Sequence, residues 1–253
     1  MNELATMTWQ QARTAIDTAR LAILPVGSIE QHGPHLPLDT DAGIAEEFAT
    51  RIATELGDDA VLCPPLRYGL SEHHMAFPGT LTLRTETFLR VQEDVVESLA
   101  SWGLRRVLVV NGHAGNVDAL RLAARAARRD HGVLIANVMW LYLAADTITE
   151  VVESDRYGHA CEVETSVAMS LRPESVRHDL IGDPGMLESF QPLSEPPGAF
   201  VDEPIPTQEW TTTGVLGDAR KATRAAGDAI VDTAVRRAVD FAREFGRRAV
   251  PMR

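Results

Sequence analysis

Short apolar runs alternate with amphipathic stretches along this chain. Residues 21–26, 60–63, 106–110 and 133–138 are brief, apolar and rich in β-branched side chains, the pattern of strands buried on both faces. Between them the period lengthens to that of helices. Residues 41–56 follow the polar break Leu38-Asp39-Thr40 and stop at Gly57, a helix C-terminal signal. Residues 85–102 put Phe88, Val91, Val95, Leu99 and Trp102 on one face and stop at Gly103. Residues 116–129 carry Leu120, Ala123 and Ala127 along one stripe. A last helix runs from about Asp218, an N-cap residue behind Gly217, to about Phe245. This alternation predicts an α/β fold, with a mainly parallel sheet and helices on both faces.

One stretch breaks the pattern. Between Gly182 and Pro206, prolines recur at 184, 192, 196, 197, 204 and 206 with little periodicity. Only one long helix follows, so an irregular excursion at about 182–210 on a single domain of residues 1–253 fits better than a linker between two domains. Such a segment would roof a site or contact a neighbouring subunit.

Composition narrows the class of partner. The chain has 253 residues, 45% apolar and 24% charged, and can bury a full core. A net charge of −12 excludes an extensive polyanion-binding surface, so no nucleic-acid partner is expected. The basic groups Arg125, Arg128 and Arg129, and Arg247 with Arg248, read as solvated helix or terminal faces. No apolar run approaches the ~20 residues that cross a bilayer, so no membrane association is expected. The start Met1-Asn-Glu-Leu-Ala-Thr lacks a secretory pattern. Cys63 and Cys161 give no disulfide framework. The expected location is cytoplasmic.

The chemistry gathers after the strand-like runs, where open α/β sheets build their sites. Glu30-Gln-His32-Gly-Pro-His35 follows the first run and Asn111-Gly-His113-Ala-Gly-Asn116 the third. With Asp41, Glu30, His32 and His113 make a set of nitrogen and oxygen donors suited to a catalytic divalent metal. A carboxylate has two oxygens, so Asp41 could bridge two ions; alone it would read as a helix cap. A phosphate-cradling loop is the competing reading of the His113 segment, but G-x-G-x-x-G spacing is absent and no Lys follows. In Gly158-His159-Ala-Cys-Glu162-Val-Glu164, His159 suits proton shuttling. Both glutamates would face the site only if the helix begins near Glu162. The pair His73-His74, before Phe77-Pro78-Gly79-Thr80, could line a pocket or form a surface turn.

Together the segments 24–41, 68–80, 111–116, 159–166 and 214–218 resemble the creatininase (creatinine amidohydrolase) family over nearly the whole chain. The resemblance implies a three-layer α/β/α domain, usually a homohexamer, with two divalent metals per subunit (Zn, Mn or Fe). Carried over, Glu30, Asp41 and His113 would hold one ion, and His32 with the bridging Asp41 the other. His159 would match the catalytic histidine and Glu164 the acidic residue that follows it. Two departures stand out. Creatinine-cleaving members have a metal-ligating glutamate where this chain has Gly115, which makes Glu164 the first replacement ligand and Glu162 the second. They also have tryptophans around the substrate, whereas residues 154–158 here are Ser-Asp-Arg-Tyr-Gly and the nearest tryptophan is Trp140. The Asn-Gly-His-x-Gly-Asn form is more similar to the deformylase and mycofactocin precursor peptidase branches. The expected function is therefore a metal-dependent amidohydrolase cleaving a C–N amide in a small molecule or short peptide. In it a metal-activated water attacks, His159 delivers a proton, and His74 positions the substrate or steadies the oxyanion. Creatinine hydrolysis proper, or a catalytically inactive binding protein on the same fold, are the alternatives.

Overall fold

The apolar runs form the interior of a five-stranded sheet. The computed structural model describes residues 1–154, 157–187 and 204–250. The elements follow as β1 (Asn2–Glu3), α1 (Trp9–Thr18), β2 (Leu21–Val26), α2 (Thr40–Leu56), β3 (Ala60–Leu62), α3 (Thr85–Ser101), β4 (Arg106–Asn111), α4 (Val117–Ala126), β5 (Leu134–Met139), α5 (Trp140–Leu143), α6 (Ala145–Val151), α7 (Glu162–Leu171) and α8 (Arg224–Phe245). The strands lie in the order β1-β3-β2-β4-β5, and all four pairings are parallel.

The side-chain period of two divides each strand between two cores. Leu21 and Ile23 of β2, with Leu108 and Val110 of β4, pack against Phe48 and Ile52 of α2, Val167 of α7 and Ile230 of α8. Ala22, Leu24, Val107 and Val109 face the other way, against Ile16 of α1, Phe88 and Leu99 of α3, and Leu120 of α4. Each fully buried leucine, isoleucine or phenylalanine contributes about 1.5–3 kcal/mol. Helices therefore cover both faces, as the strand composition predicts.

The four predicted strands appear with ends shifted by at most one residue. Four details differ. On α3 the buried stripe is Phe88, Gln92, Val96 and Leu99, one step round from the predicted face, and Trp102 at its end is 46% exposed. Gln92 inside the stripe hides this register from a hydrophobicity pattern. The fourth helix passes after Ala126 into a π-turn, Ala127–His131, closed by left-handed Gly132. Asp218 caps only a short 3₁₀ turn, Ala219–Lys221, and α8 starts six residues later with Thr223 as its cap. The edge strand β1 and helix α1 were not marked by any apolar pattern.

The central strands dictate where a site can form. From β2 the chain passes to β3 on one side and then to β4 on the other, which opens a crevice beyond their carboxyl ends. Helix α7 reaches this crevice because it packs closely on α8. A Cβ on Gly227 of α8 would lie only 1.9 Å from the Ser166 carbonyl oxygen of α7. Of the proline-rich excursion, residues 188–203 lie outside the described residues. Its two described arms meet at an antiparallel bridge between Met186 and Thr211. No described helix is long and apolar enough to cross a membrane.

Candidate metal centre

The segments after β2 and β4 converge over the crevice and are fastened by side-chain amides. Asn116 donates to the Gly27 carbonyl at 3.0 Å and accepts from the Leu70 N–H at 3.0 Å. Asn111 brackets His113, accepting from its N–H at 3.2 Å and donating to its carbonyl at 2.6 Å. The asparagines of Asn-Gly-His-Ala-Gly-Asn thus lock three loops together.

Glu30, His32, Asp41 and His113 are all buried there. His113 Nε2 lies 2.8 Å from the Leu70 carbonyl, to which it donates, so Nδ1 turns to Asp41 Oδ2 at 2.9 Å and Glu30 Oε2 at 3.3 Å. His32 Nδ1 lies 3.2 Å from the Glu30 carbonyl, so Nε2 turns to Asp41 Oδ1 at 3.1 Å and Glu164 Oε2 at 4.0 Å. Among the described residues four donor trios have ligand atoms within 4.8 Å of one another, Glu30–His32–His159, Glu30–His73–His74, Glu30–Asp41–His113 and His32–Asp41–Glu164, and the last two share Asp41. Asp41 gives one oxygen to each of these two.

Two observations fit this donor set to divalent ions. Buried Glu30 Oε1 and Asp41 Oδ2 face only imidazole nitrogens, His74 Nε2 at 3.3 Å and His113 Nδ1 at 2.9 Å, with no well-aligned hydrogen bond among the described residues, a costly state for carboxylate oxygens unless a cation or an imidazolium proton completes them. Both imidazoles also give one nitrogen to a backbone carbonyl and the other to the carboxylates, the usual outer support of a metal-binding histidine. The electrostatics agree. Burial opposes charge on His32, yet Asp41 raises that imidazole to about 10. Burial is likewise outweighed at His113, which Glu30 and Asp41 raise to about 9. Against burial, His32 and His113 hold the Asp41 carboxyl well below the usual range. Burial pushes Glu30 up to about 7 and raises Glu164. Protons thus gather where cations would sit.

The second predicted cluster resolves at the start of α7. Because the helix begins at Glu162, both glutamates fall in its first turn, but they diverge. The Glu162 carboxylate accepts from the N–H groups of Glu153 and Ser154, each at 2.9 Å, and so turns away from the centre. Glu164 points in, its Oε2 held by the N–H of Ala160. Ala160 has φ 50°, a left-handed conformation unusual for a residue with a side chain. That strain aims its N–H at Glu164 and sets His159 beside it. His159 Nε2 donates to the Gln31 carbonyl at 2.6 Å, and Nδ1 lies 3.7 Å from Glu30 Oε1 and 4.0 Å from Glu164 Oε2. Burial takes its pKa well below the usual value.

His74 is buried rather than part of a surface turn, with Nε2 3.3 Å from Glu30 Oε1. Burial takes its pKa down to about 2. The rings of His73, His74, His159 and His32 follow one another at centroid spacings of 4.2, 4.3 and 4.2 Å.

Sequence reading missed Ser28, Ser71, Gln31 and Thr207. The Ser71 hydroxyl donates to Glu30 Oε2 and bonds the Ser28 hydroxyl. Its place just before Glu72-His73-His74 was the available signal. Thr207 Oγ1, from the returning arm of the excursion, lies 3.0 Å from His74 Nδ1. Two sequence departures also gain a physical account. At Gly115 a Cβ would lie 2.4 Å from His113 Nε2 and 2.6 Å from the Leu70 carbonyl oxygen. The place of a side chain is taken by the hydrogen bond that orients His113. Trp140 is buried and stacks on Phe48 in the core at 6.2 Å.

Fold and site together define an α/β protein with a two-part carboxylate–imidazole centre at the sheet's switch point. The family model for creatinine amidohydrolase matches residues 5–242. The mycofactocin precursor peptide peptidase of Mycolicibacterium smegmatis is 35% identical over 237 residues, covering 90% of this chain and 85% of that protein. The creatinine amidohydrolase of Pseudomonas putida is 28% identical over 258 residues, covering 94% and 95%. A solved manganese creatininase superposes with a TM-score of 0.79 at 26% identity, over 97% of this chain and 99% of the other. The chain belongs to the creatininase family, hydrolases that act on C–N bonds.

Proposed function

We propose that this protein is a metal-dependent amidohydrolase that opens a non-aromatic C–N amide in a small molecule or short peptide, using two divalent ions per subunit (zinc, manganese or iron). The observation that carries this reading is the meeting of the buried Glu30 and Asp41 carboxylates, whose Oε1 and Oδ2 face only imidazole nitrogens, with the inward nitrogens of His32 and His113. Glu30, Asp41 and His113 would hold one ion. His32, Asp41 and Glu164 would hold the other, with Glu164 replacing the ligand that Gly115 cannot supply. Such ions lower the pKa of a bound water from 15.7 toward ~7 and polarise the substrate carbonyl.

The remaining steps belong to side chains. His159 is neutral in its buried place, and its Nε2 is already committed to Gln31. Its Nδ1 therefore takes the proton released by the attacking water and returns it to the leaving nitrogen. His74 offers Nε2–H to the carbonyl oxygen as that oxygen gains charge. The burial of Trp140 speaks against a flat aromatic slot built on that residue, and the higher identity to the peptidase than to the creatinine amidohydrolase points the same way.

Metal analysis combined with a screen of formamides, lactams, short peptides and creatinine tests this. The wild type should hold two ions per subunit and turn over at least one amide. His113→Ala should lose an ion and more than about 100-fold of activity, beyond the effect of an outer hydrogen bond. Activity without metal, or an unaffected variant, would sink the proposal, and one ion or none with no turnover would favour a binding protein.

A further inference from the structure

Gln31 lies between two donor residues and is 5% exposed, yet its side chain offers nothing to any of the trios. Its amide is oriented by backbone groups whose roles cannot change. Oε1 accepts from the Gly33 N–H at 2.9 Å, and Nε2 donates to the Gly214 carbonyl at 3.0 Å. An exchanged amide would set oxygen against oxygen at one end and N–H against N–H at the other. The second Nε2 hydrogen then points at His74 Nδ1, 2.9 Å away, and that nitrogen has to accept. The Thr207 hydroxyl lies 3.0 Å from the same nitrogen and, able to donate or accept, follows the tautomer rather than choosing it. A neutral imidazole whose Nδ1 accepts carries its proton on Nε2. In His74 that is the nitrogen facing Glu30 Oε1.

The main chain of the same residue acts in the opposite sense. The Gln31 carbonyl accepts a hydrogen bond from His159 Nε2–H and leaves Nδ1 with its lone pair toward Glu30 and Glu164. Two imidazoles with centroids 4.3 Å apart are thus held in complementary states by one residue.

We propose that Gln31 is a positioning residue that fixes His74 as a hydrogen-bond donor and His159 as an acceptor on either side of the reacting centre. Its catalytic meaning rests on the amidohydrolase reading, since a donor is needed for the oxyanion and an acceptor for the water proton.

Gln31→Glu keeps the size, the acceptor for Gly33 and the carbonyl for His159, but removes the donor to His74 Nδ1. Neutron diffraction on deuterium-exchanged, zinc-loaded crystals reads the result directly. The wild type should show deuterium on His74 Nε2 and not on Nδ1, and Gln31→Glu should show it on Nδ1. Gln31→Met should lower kcat by about 10- to 100-fold, below the 10²–10³ ceiling for losing an oxyanion donor. KM and the two bound ions should be unchanged. In a His74→Ala background Gln31→Met should cost nothing further, because it acts through that ring. Deuterium on Nδ1 of the wild type, an unchanged ring in Gln31→Glu, or additive losses in the double variant would overturn the proposal. The deuterium positions decide it whether or not an amide is turned over, so an inactive protein would remove only the amidohydrolase reading.

Discussion

His32, His113 and His159 each give one ring nitrogen to a backbone carbonyl, those of Glu30, Leu70 and Gln31. A carbonyl can only accept, so it chooses which nitrogen stays available without using another side chain. This arrangement makes Gly115 a structural requirement of the present centre. Gly115→Glu, which restores the residue of the creatinine-cleaving form, should displace the Leu70 carbonyl from His113 Nε2 because its Cβ would fall 2.6 Å from that oxygen. The expected outcome is loss of the ion at Glu30–Asp41–His113 and of more than about 10-fold in activity. Metal analysis and kcat/KM would check it, and a tighter second ion with preserved activity would refute it. At this scale the donors Glu30, His32, Asp41 and His113 were legible because they sit in two short motifs and one helix start. Gln31 was not, since its amide is oriented by Gly214, 183 residues away.

At the scale of elements, α7 joins the centre to the far end of the chain. It carries Glu164, begins after strained Ala160, and is held against α8 by contact at Gly227. Gly227→Ala places a methyl 1.9 Å from the Ser166 carbonyl oxygen, so the two helices have to separate. Overpacking of this kind costs about 1–3 kcal/mol. Urea denaturation should show that loss, and, on the proposed two-ion assignment, metal analysis should show the His32–Asp41–Glu164 site emptying before the other. The sheet was legible because strands buried on both faces are simple apolar runs. Residues Asn2–Glu3 of β1 are polar, and α1 opens with Trp9 turned 75% to solvent, so neither announces a buried face. The start of α8 was misplaced because Asp218 and Thr223 are both good caps, and only the extended backbone at Ala222 separates them.

At the scale of the whole molecule, the proposed metal loading would compete with protonation for the same interior. His32 and His113 have pKa values raised to about 10 and 9, and Glu30 to about 7. A raised imidazole stabilises the metal-free fold fully below its unfolded pKa of about 6.5, and that contribution is lost as pH rises through 9 to 10. Raised Glu30 acts in the same direction near pH 7. The metal-stripped protein should therefore lose thermal stability between pH 6.5 and 9.5, while the loaded protein holds it. At about 100 times the dissociation constant an ion contributes ~2.7 kcal/mol, or roughly 5–10 °C in Tm. Calorimetry of stripped and loaded samples across that range would show the gap widening; a gap that narrows would contradict the assignment.

The close seat of α7 on α8 has a further consequence, for the order in which the molecule can be completed. Glu30, Asp41 and His113 come from segments tied to β2, α2 and β4, which neighbour one another as soon as the sheet forms. Glu164 arrives only with α7, and α7 is held by α8, more than fifty residues further along the chain. Such distant closure is slow relative to local pairing. On the proposed two-ion reading, the Glu30–Asp41–His113 trio is complete once the sheet and α2 are in place, whereas the His32–Asp41–Glu164 trio is complete only when α7 has docked on α8.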